Sequence, residues 1–376
     1  MRVLLILSDF SFPTQQALWE EVSRRDVDLH VAYTLEIPRS EEVGPPDYGT
    51  RHELAGVRVR GDRLTWMAFR RLSPLVTDLR PDLVHVLNEP WSVAVLQTIH
   101  AQARRVVTQG CENLWDQGGP LEAKVRRFVT RHNLSRSSGF VSWNSEGVAW
   151  ARRRGLPPAS PTLVQSSVLP HLERFSHPER RREVGRRGWG FDHEFVVGYV
   201  GRLIAEKGLD WLLESWRTAC LPDHTRLVFI GKGPMEGAIR AAATTDARIR
   251  LIGPVPFDQV PTVMASLDAL VLPSLTTRDW CEQYGRVITE AMASGVPVIA
   301  SDSGAIPEVV GDAGIIVSEG STAELAAALR RVSLDLAIHR SLAEASLARA
   351  QTAFSPAVAA ERLRGFWRAV AGCSVL

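Results

Sequence analysis

Lysine is nearly missing from this chain: of 44 basic residues only Lys124, Lys207 and Lys232 are lysine, so arginine is the default cation and each lysine stands out. Cysteine is scarce as well. Cys111, Cys220, Cys281 and Cys373 lie far apart with no CxxC pair, which argues against a zinc site and a disulfide framework and leaves four free thiols. Long apolar runs are absent near the start, where VLLIL is too short to span a membrane and Ser8-Asp9 follows where a signal peptide would still be hydrophobic. The cytoplasm is the expected location. The first strand-to-helix turn, SDFSFPTQQ, has no glycine, whereas a dinucleotide site needs GxGxxG there so that backbone approaches the pyrophosphate. No GxxxxGK[ST] loop occurs either. Nicotinamide chemistry and P-loop hydrolysis are both demoted. No Asp-x-Asp or His/Cys cluster at ligand spacing accompanies the strand-to-helix motifs of the second half, so neither a metal nor a bound cofactor is expected.

What is present is a repeated unit. At 376 residues the chain exceeds one hydrophobic core and calls for two domains. Short apolar runs alternate with helical patterns: RVLLILS, DLHVAYT, LVHVLNE, RRVVTQG, GFVSWN and PTLVQSS, then FVVGYVG, RLVFIGKG, IRLIGP, ALVLPS, PVIAS and GIIV. Such runs between helices are strands of a parallel sheet covered on both faces. The pattern predicts two Rossmann-like α/β domains in series. Residues 175–195, charged, Gly/Pro-punctuated and poor in aliphatics, read as the boundary, giving domains over 1–180 and 190–354. A helix over 355–376, with Val358, Leu363, Phe366 and Trp367 at helical spacing, is expected to return to the first domain. Net charge is +2, yet residues 101–190 carry 16 Lys+Arg against 7 Asp+Glu. That excess fits a phosphate, an anionic substrate or membrane surface, or a solvated arginine-rich face.

Two segments of the second half carry chemistry. Gly201-Arg202-Leu203-Ile204-Ala205-Glu206-Lys207-Gly208 runs from a strand into a helix. Cations there oppose the helix dipole, so Arg202 and Lys207 make better sense with an anion in the site. In CEQYGRVITEAMASGVPVIASDSGAIPE, Glu282 and Glu290 stand eight positions apart. A helix starting near Gly285 separates their carboxylates by roughly 8 to 12 Å, too far for a carboxylate pair clasping one glycosidic bond in an ordinary retaining glycosidase. Two groups of one extended ligand suit that spacing better.

The string E-x7-E with EAMASGVPVIAS and SGAIPE, preceded by PS and, some 75 residues upstream, by GRLIAEKG, resembles the retaining glycosyltransferases of family 4, enzymes of the GT-B fold with two facing Rossmann-like domains. The likeness is specific over about residues 195–320 and rests on strand-helix order before that. It implies metal-independent transfer of a sugar from a nucleotide diphosphate, a UDP- or GDP-sugar, to a hydroxyl. It implies that Arg202 and Lys207 bind the diphosphate after Gly201 and that Glu282 holds donor-sugar hydroxyls. Backbone N–H groups of Gly285 and Arg286 would support sugar and phosphate, and Glu290 would accept from the ribose. Gly231, Gly233 and Val255 fall where the nucleoside is received; for the glycines a plain strand-end turn is the alternative.

The first half departs from the family pattern. Pro13-Thr14-Gln15-Gln16 replaces the usual glycine pair, and VVTQGCENLW replaces the usual His-Asp after the fifth strand. Gln15, Gln109, Glu112 and Asn113 are the polar substitutes. Trp91 with Glu89, and Trp115, follow strands and offer faces for a sugar ring, or else pack in the core. His85, inside LVHVL, reads as a core histidine, and Asp302-Ser303 as turn chemistry. A small hydroxylated or glycan acceptor is favoured over a lipid-linked one, because the basic helix 122–136 has only Val125, Phe128, Val129 and Leu134 as apolar residues, a set suited to packing. No nucleic-acid partner is expected. A lipid-linked acceptor, a phosphorylase or pseudo-glycosyl coupling enzyme and a non-catalytic nucleotide-sugar binder are the other readings.

Overall fold

The computed structural model describes residues 1–7, 13–35, 46–59, 66–110, 120–165, 172–175 and 178–372. Contacts divide the chain into two compact units, Met1–Pro170 with Pro356–Leu376, and His171–Ser355.

In the first unit, β1 (Arg2–Leu7), helix α1 (Pro13–Ser23), β2 (Asp28–Tyr33) and β3 (Thr50–Glu53) come first. A short hairpin follows, β4 (Gly56–Arg58) and β5 (Met67–Phe69), then α2 (Leu72–Leu79), β6 (Leu83–Leu87), α3 (Val93–His100), β7 (Val106–Gly110), α4 (Pro120–Arg136), β8 (Gly139–Ser142), α5 (Ser145–Arg153) and β9 (Thr162–Val164). The sheet order is β3-β2-β1-β6-β7-β8-β9, all parallel. Six of these strands coincide with the apolar runs. The exception is β3, whose sequence TRHE is almost wholly exposed; an edge strand wetted in this way needs no apolar signature.

The second unit holds α6 (Pro178–Trp189), β10 (Phe195–Val200), α7 (Leu209–Ala219), β11 (Thr225–Ile230), α8 (Glu236–Thr245), β12 (Ile249–Ile252), α9 (Val260–Ser266) and β13 (Ala269–Leu272). It continues with α10 (Arg286–Ala293), β14 (Val298–Ser301), α11 (Ile306–Val310), β15 (Gly314–Val317), α12 (Thr322–Leu334) and α13 (Leu336–Ala353). Its parallel sheet has the order β12-β11-β10-β13-β14-β15, that is 3-2-1-4-5-6, the doubly wound arrangement whose direction reverses between its first and fourth strands. Both units are thus Rossmann-like α/β domains, as the run pattern predicts.

The last helix, α14 (Pro356–Ala371), packs against α1 in the first unit. Trp367 stacks on Trp19 at 6.2 Å, and its indole N–H donates to His85 Nδ1 at 3.3 Å. His85 is fully buried in β6. Burial pushes its pKa down to about 3, with the Gln109 side chain acting in the opposite direction, so it is a neutral core histidine. The C-terminal helix therefore closes the first unit with the contacts its apolar spacing anticipates.

The boundary needs correction. Residues 175–195 are not a linker; most of them form α6, which belongs to the second unit and packs on α9. The reason is ionic. Asp268, at the start of β13, receives the guanidinium of Arg182, that of Arg186 at 3.0 Å and the backbone N–H of Val196 at 2.7 Å. Arg186 and Asp268 are both buried, so a helix without an apolar stripe is held by charge. Asp268→Ala strands Arg186 without its carboxylate and is expected to lower stability by about 3 to 5 kcal/mol. Arg187→Ala, which removes only the exposed pair with Glu183, should change it by less than about 1 kcal/mol. Urea denaturation midpoints of the two variants check this; equal effects would refute the anchoring role.

Candidate functional site

The site is assembled at the carboxyl ends of β10 and β13, neighbours at the reversal point of the second sheet (Val197 opposite Ala269, Gly198 opposite Leu270). This is where an open parallel sheet leaves a crevice. After β10 the chain passes Gly201 and Arg202, makes a single 3-10 turn over Ala205–Lys207, and enters α7 through Gly208 at φ 67°. A side chain at 208 would run into the Pro273 carbonyl at the end of β13. Glycine here lets the two strand-end loops touch.

That contact brings together residues 75 apart in the chain. Lys207 Nζ pairs with Glu282 Oε2, and Ser274 Oγ donates to the same carboxylate oxygen at 2.8 Å. The two charged side chains are 12% and 10% exposed. The ammonium also sits 4.9 Å from the centroid of the Trp280 ring, a cation–π distance. A third loop, following β14, closes on the same residue: Gly304, at φ 52°, packs on the Glu282 backbone, and Ala305 N–H donates to Glu282 O at 2.9 Å. Ser274 is the Ser of the PS that precedes the E-x7-E string, to which motif reading gives no role, and Trp280 is the partner it misses. Trp280 lies two positions before Glu282, and only the folded loop shows which cation it covers.

Arg202 is exposed, and its carbonyl accepts from the buried Tyr199 hydroxyl at 2.6 Å. Its guanidinium has no hydrogen-bond or ion-pair partner among the described residues. Gly285, at φ 74°, starts α10 with no side-chain cap, so the first N–H groups of that helix and the positive end of its dipole are available to an anion. Gly231, at φ 145°, lies against the Gly201 carbonyl, and Gly233 against Leu203. These glycines are sites of close loop approach beside the β10 loop, more than plain strand-end turns. Val255 is half-buried in the loop after β12. Asp302 accepts from Glu319 N–H at 2.8 Å, the turn chemistry its position suggests.

Glu290 lies on α10 and is 7% exposed, with Arg286 Nε at 3.5 Å from its Oε1. Burial lifts its pKa to about 7, against the pull of Arg286.

The first unit's candidates are not gathered in the same way. Trp91 is buried in a packing cluster with Leu134, Phe140, Trp150, Ala151 and Leu156, so its ring is not a sugar platform. The Glu89 carboxylate lies over Gly110 at the end of β7, where an added Cβ would meet it at 2.9 Å. Gln109 is half-buried on β7. Gln15 falls in the first turn of α1. Glu112, Asn113 and Trp115 lie outside the described residues.

Comparison with known proteins bears on the family domain and the fold. Residues 194–335 match the model of the family described as glycosyl transferases group 1. A 2-deoxystreptamine glucosyltransferase of Streptomyces kanamyceticus is 30% identical over 67% of this chain and 63% of its own length. A 2-deoxystreptamine N-acetyl-D-glucosaminyltransferase of Streptomyces fradiae is 29% identical over 79% and 73%. The aligned part thus spans somewhat under two thirds of the first relative and more of the second. Among solved structures, Anabaena Alr3699/HepE in complex with UDP superposes with a TM-score of 0.74 at 18% identity, covering 98% of this chain and 100% of that one. Sucrose-phosphate synthase from Thermosynechococcus elongatus gives 0.71 at 18%, covering 100% of both. The chain has the GT-B fold and carries a glycosyl transferases group 1 domain.

The sign of Glu290's effect on stability follows from its raised pKa. An ordinary glutamate titrates near 4.5, and this one near 7, so between those values the folded state holds the extra proton and stability falls as pH rises. The loss is about 3 kcal/mol by pH 8. Glu290→Gln should be more stable than wild type at pH 8 and close to it at pH 4.5, measured by urea denaturation at the two pH values. A difference independent of pH would overturn the assignment.

Proposed function

We propose that this chain is a retaining glycosyltransferase that moves a sugar from a nucleotide diphosphate donor to a hydroxyl of a small hydroxylated or glycan acceptor. The observation that carries the reading is the convergence of Lys207 and Glu282 at the reversal point of the second sheet, beside exposed Arg202 and the uncapped start of α10. A diphosphate meets Lys207, Arg202 and the N–H groups of Gly285 and Arg286; the donor sugar's hydroxyls meet Glu282. Glu290 accepts from the ribose, and the loops carrying Gly231, Gly233 and Val255 border the base. HepE's complexes with UDP and UDP-glucose support a UDP-sugar donor, with a GDP-sugar as the second choice. The relatives named for 2-deoxystreptamine support a small polyhydroxylated ring as acceptor.

The chemistry follows from where charge develops. The bond from the anomeric carbon to the phosphate oxygen breaks, and the departing diphosphate gains negative charge that Arg202 and Lys207 are already placed to meet. The acceptor oxygen bonds to the same face of the sugar, and its proton passes to the departing phosphate oxygen. No protein nucleophile takes part, and side-chain cations do the work a metal does elsewhere.

Arg202→Ala and Lys207→Ala should each lower turnover by roughly 100-fold while the urea midpoint of Arg202→Ala stays at the wild-type value. Near-wild-type turnover in both removes the diphosphate assignment. Thermal shifts with UDP, GDP, ADP and dTDP identify the base, and the anomeric configuration of the product tests retention. Phosphorolysis or binding without transfer would replace the proposal with one of its alternatives. Transfer should also persist after exhaustive chelation; strict dependence on added magnesium or manganese would overturn the metal-free scheme.

A further inference from the structure

The loop between β13 and α10, residues 273–285, is buried at both ends and exposed in between. Pro273, Ser274, Cys281 and Glu282 are buried, residues 276–279 are exposed, and half-buried Trp280 is where the exposed stretch returns to the site. A local turn bends that stretch, with Thr277 N–H donating to Trp280 O at 2.7 Å. Such an excursion has few buried contacts of its own to keep the residue at its end in place.

Two of its positions are tied to neighbouring loops. Leu275 N–H donates to Glu206 O at 2.8 Å, in the loop that carries Lys207. Thr276 gives two donors to one carboxylate from the loop after β15: its N–H to Glu319 Oε2 and its hydroxyl to Glu319 Oε1, each at 2.6 Å. That hydroxyl has a single hydrogen, so the buried Ser303 Oγ, 2.9 Å away, is the donor to it. Glu319 is oriented in turn by its own N–H, which donates to Asp302 Oδ1 at 2.8 Å. Asp302 and Ser303 therefore do more than shape a turn: they support the contact between Glu319 and Thr276.

A local role does not account for this arrangement. Water can satisfy the polar groups of an exposed threonine, whereas a two-point grip by a carboxylate 43 residues away fixes the loop in space. Four positions beyond the gripped residue stands Trp280, with its ring centroid 4.9 Å from Lys207 Nζ. Lysine carries its charge on a flexible four-carbon stem. Here the ammonium has the Glu282 carboxylate as one partner and the Trp280 ring as another.

We propose, on the reading that Lys207 meets a diphosphate, that Glu319 and Thr276 form a latch that positions Trp280 and, through its ring, the Lys207 ammonium. Trp280 is then a positioning residue: it holds the ammonium by a cation–π contact and keeps water from one side of it, which strengthens the field an anion meets.

The chain's three lysines make the test direct. Acetylation by N-hydroxysuccinimidyl acetate, followed peptide by peptide by mass spectrometry, reports on Lys207, 12% exposed, with exposed Lys124 and Lys232 as internal controls. Without nucleotide, Trp280→Leu should speed the labelling of Lys207 roughly fivefold, the worth of one cation–π contact. Trp280→Phe, which keeps an aromatic face, should stay near wild type. Glu319→Gln and Thr276→Val should each speed Lys207 by up to about the same factor, with the control lysines and the urea midpoint unchanged. Because the latch acts through the ring, Glu319→Gln should add nothing in a Trp280→Leu background. The proposal fails if Lys207 of Glu319→Gln labels at the wild-type rate, if the control lysines speed up with it, if Trp280→Phe matches Trp280→Leu, or if the effects multiply in the double variant. Protection of wild-type Lys207 by UDP is a separate arm: its absence counts against the diphosphate reading, while the latch is judged by the rates without nucleotide.

Discussion

The close approach of the loops after β10 and β13 is the constraint on which the second unit's site depends. Gly208 has no side chain to hold the loops apart, and its neighbour Lys207 therefore lies against Glu282. Burying an ammonium and a carboxylate costs several kcal/mol per ion unless they pair and find further hydrogen bonds. Here the carboxylate also takes the Ser274 hydroxyl, the ammonium lies near the Trp280 ring, and the Glu282 backbone is tied to the loop after β14. Three strand-end loops thus share one ion pair. The ion pair is fixed from three directions by the fold itself.

A short buried strand connects this pair to the unit's other ionic anchor. β13 is only Ala269–Leu272. Asp268 at its amino end binds Arg182, Arg186 and the Val196 N–H, while the loop from its carboxyl end delivers Ser274 and Glu282. Asp268 fixes α6 and the start of β10 relative to β13; Glu282 fixes the loop that leaves β10. Strands β10 and β13 are thereby pinned on both sides of the reversal point, by Asp268 with its arginines on one side and by Lys207 with Glu282 on the other.

What the sequence reveals and what it conceals follow from the same physics. Parallel strands buried on both faces have to be apolar runs, so every second-unit strand and six in the first are legible, and the strand-end segments that carry Lys207 and Glu282 stand out beside them. The edge strand β3, TRHE, carries no such signal because water covers it. Helix α6 is hidden because its anchor is Asp268, more than 80 residues away from Arg182 and Arg186. Trp91 and Phe128 show a different limit. One is buried and the other exposed, and neither composition nor spacing distinguishes a ring that packs from one that faces water, since that depends on which neighbours the helix meets.

The scarcity of lysine acquires a physical meaning in the fold. Of the three, Lys124 and Lys232 are exposed, and only Lys207 is not. Elsewhere this chain builds its buried and half-buried pairs from arginine, as in Arg186 with Asp268 and Arg248 with Asp246, where several donors meet carboxylate and carbonyl oxygens at once. The space between Glu282 and the Trp280 ring holds a compact point charge on a flexible stem, and a planar fork of five donors would bring N–H groups that the loop has to satisfy. A lysine can keep Glu282 as partner and still turn one of its three hydrogens toward a second anion.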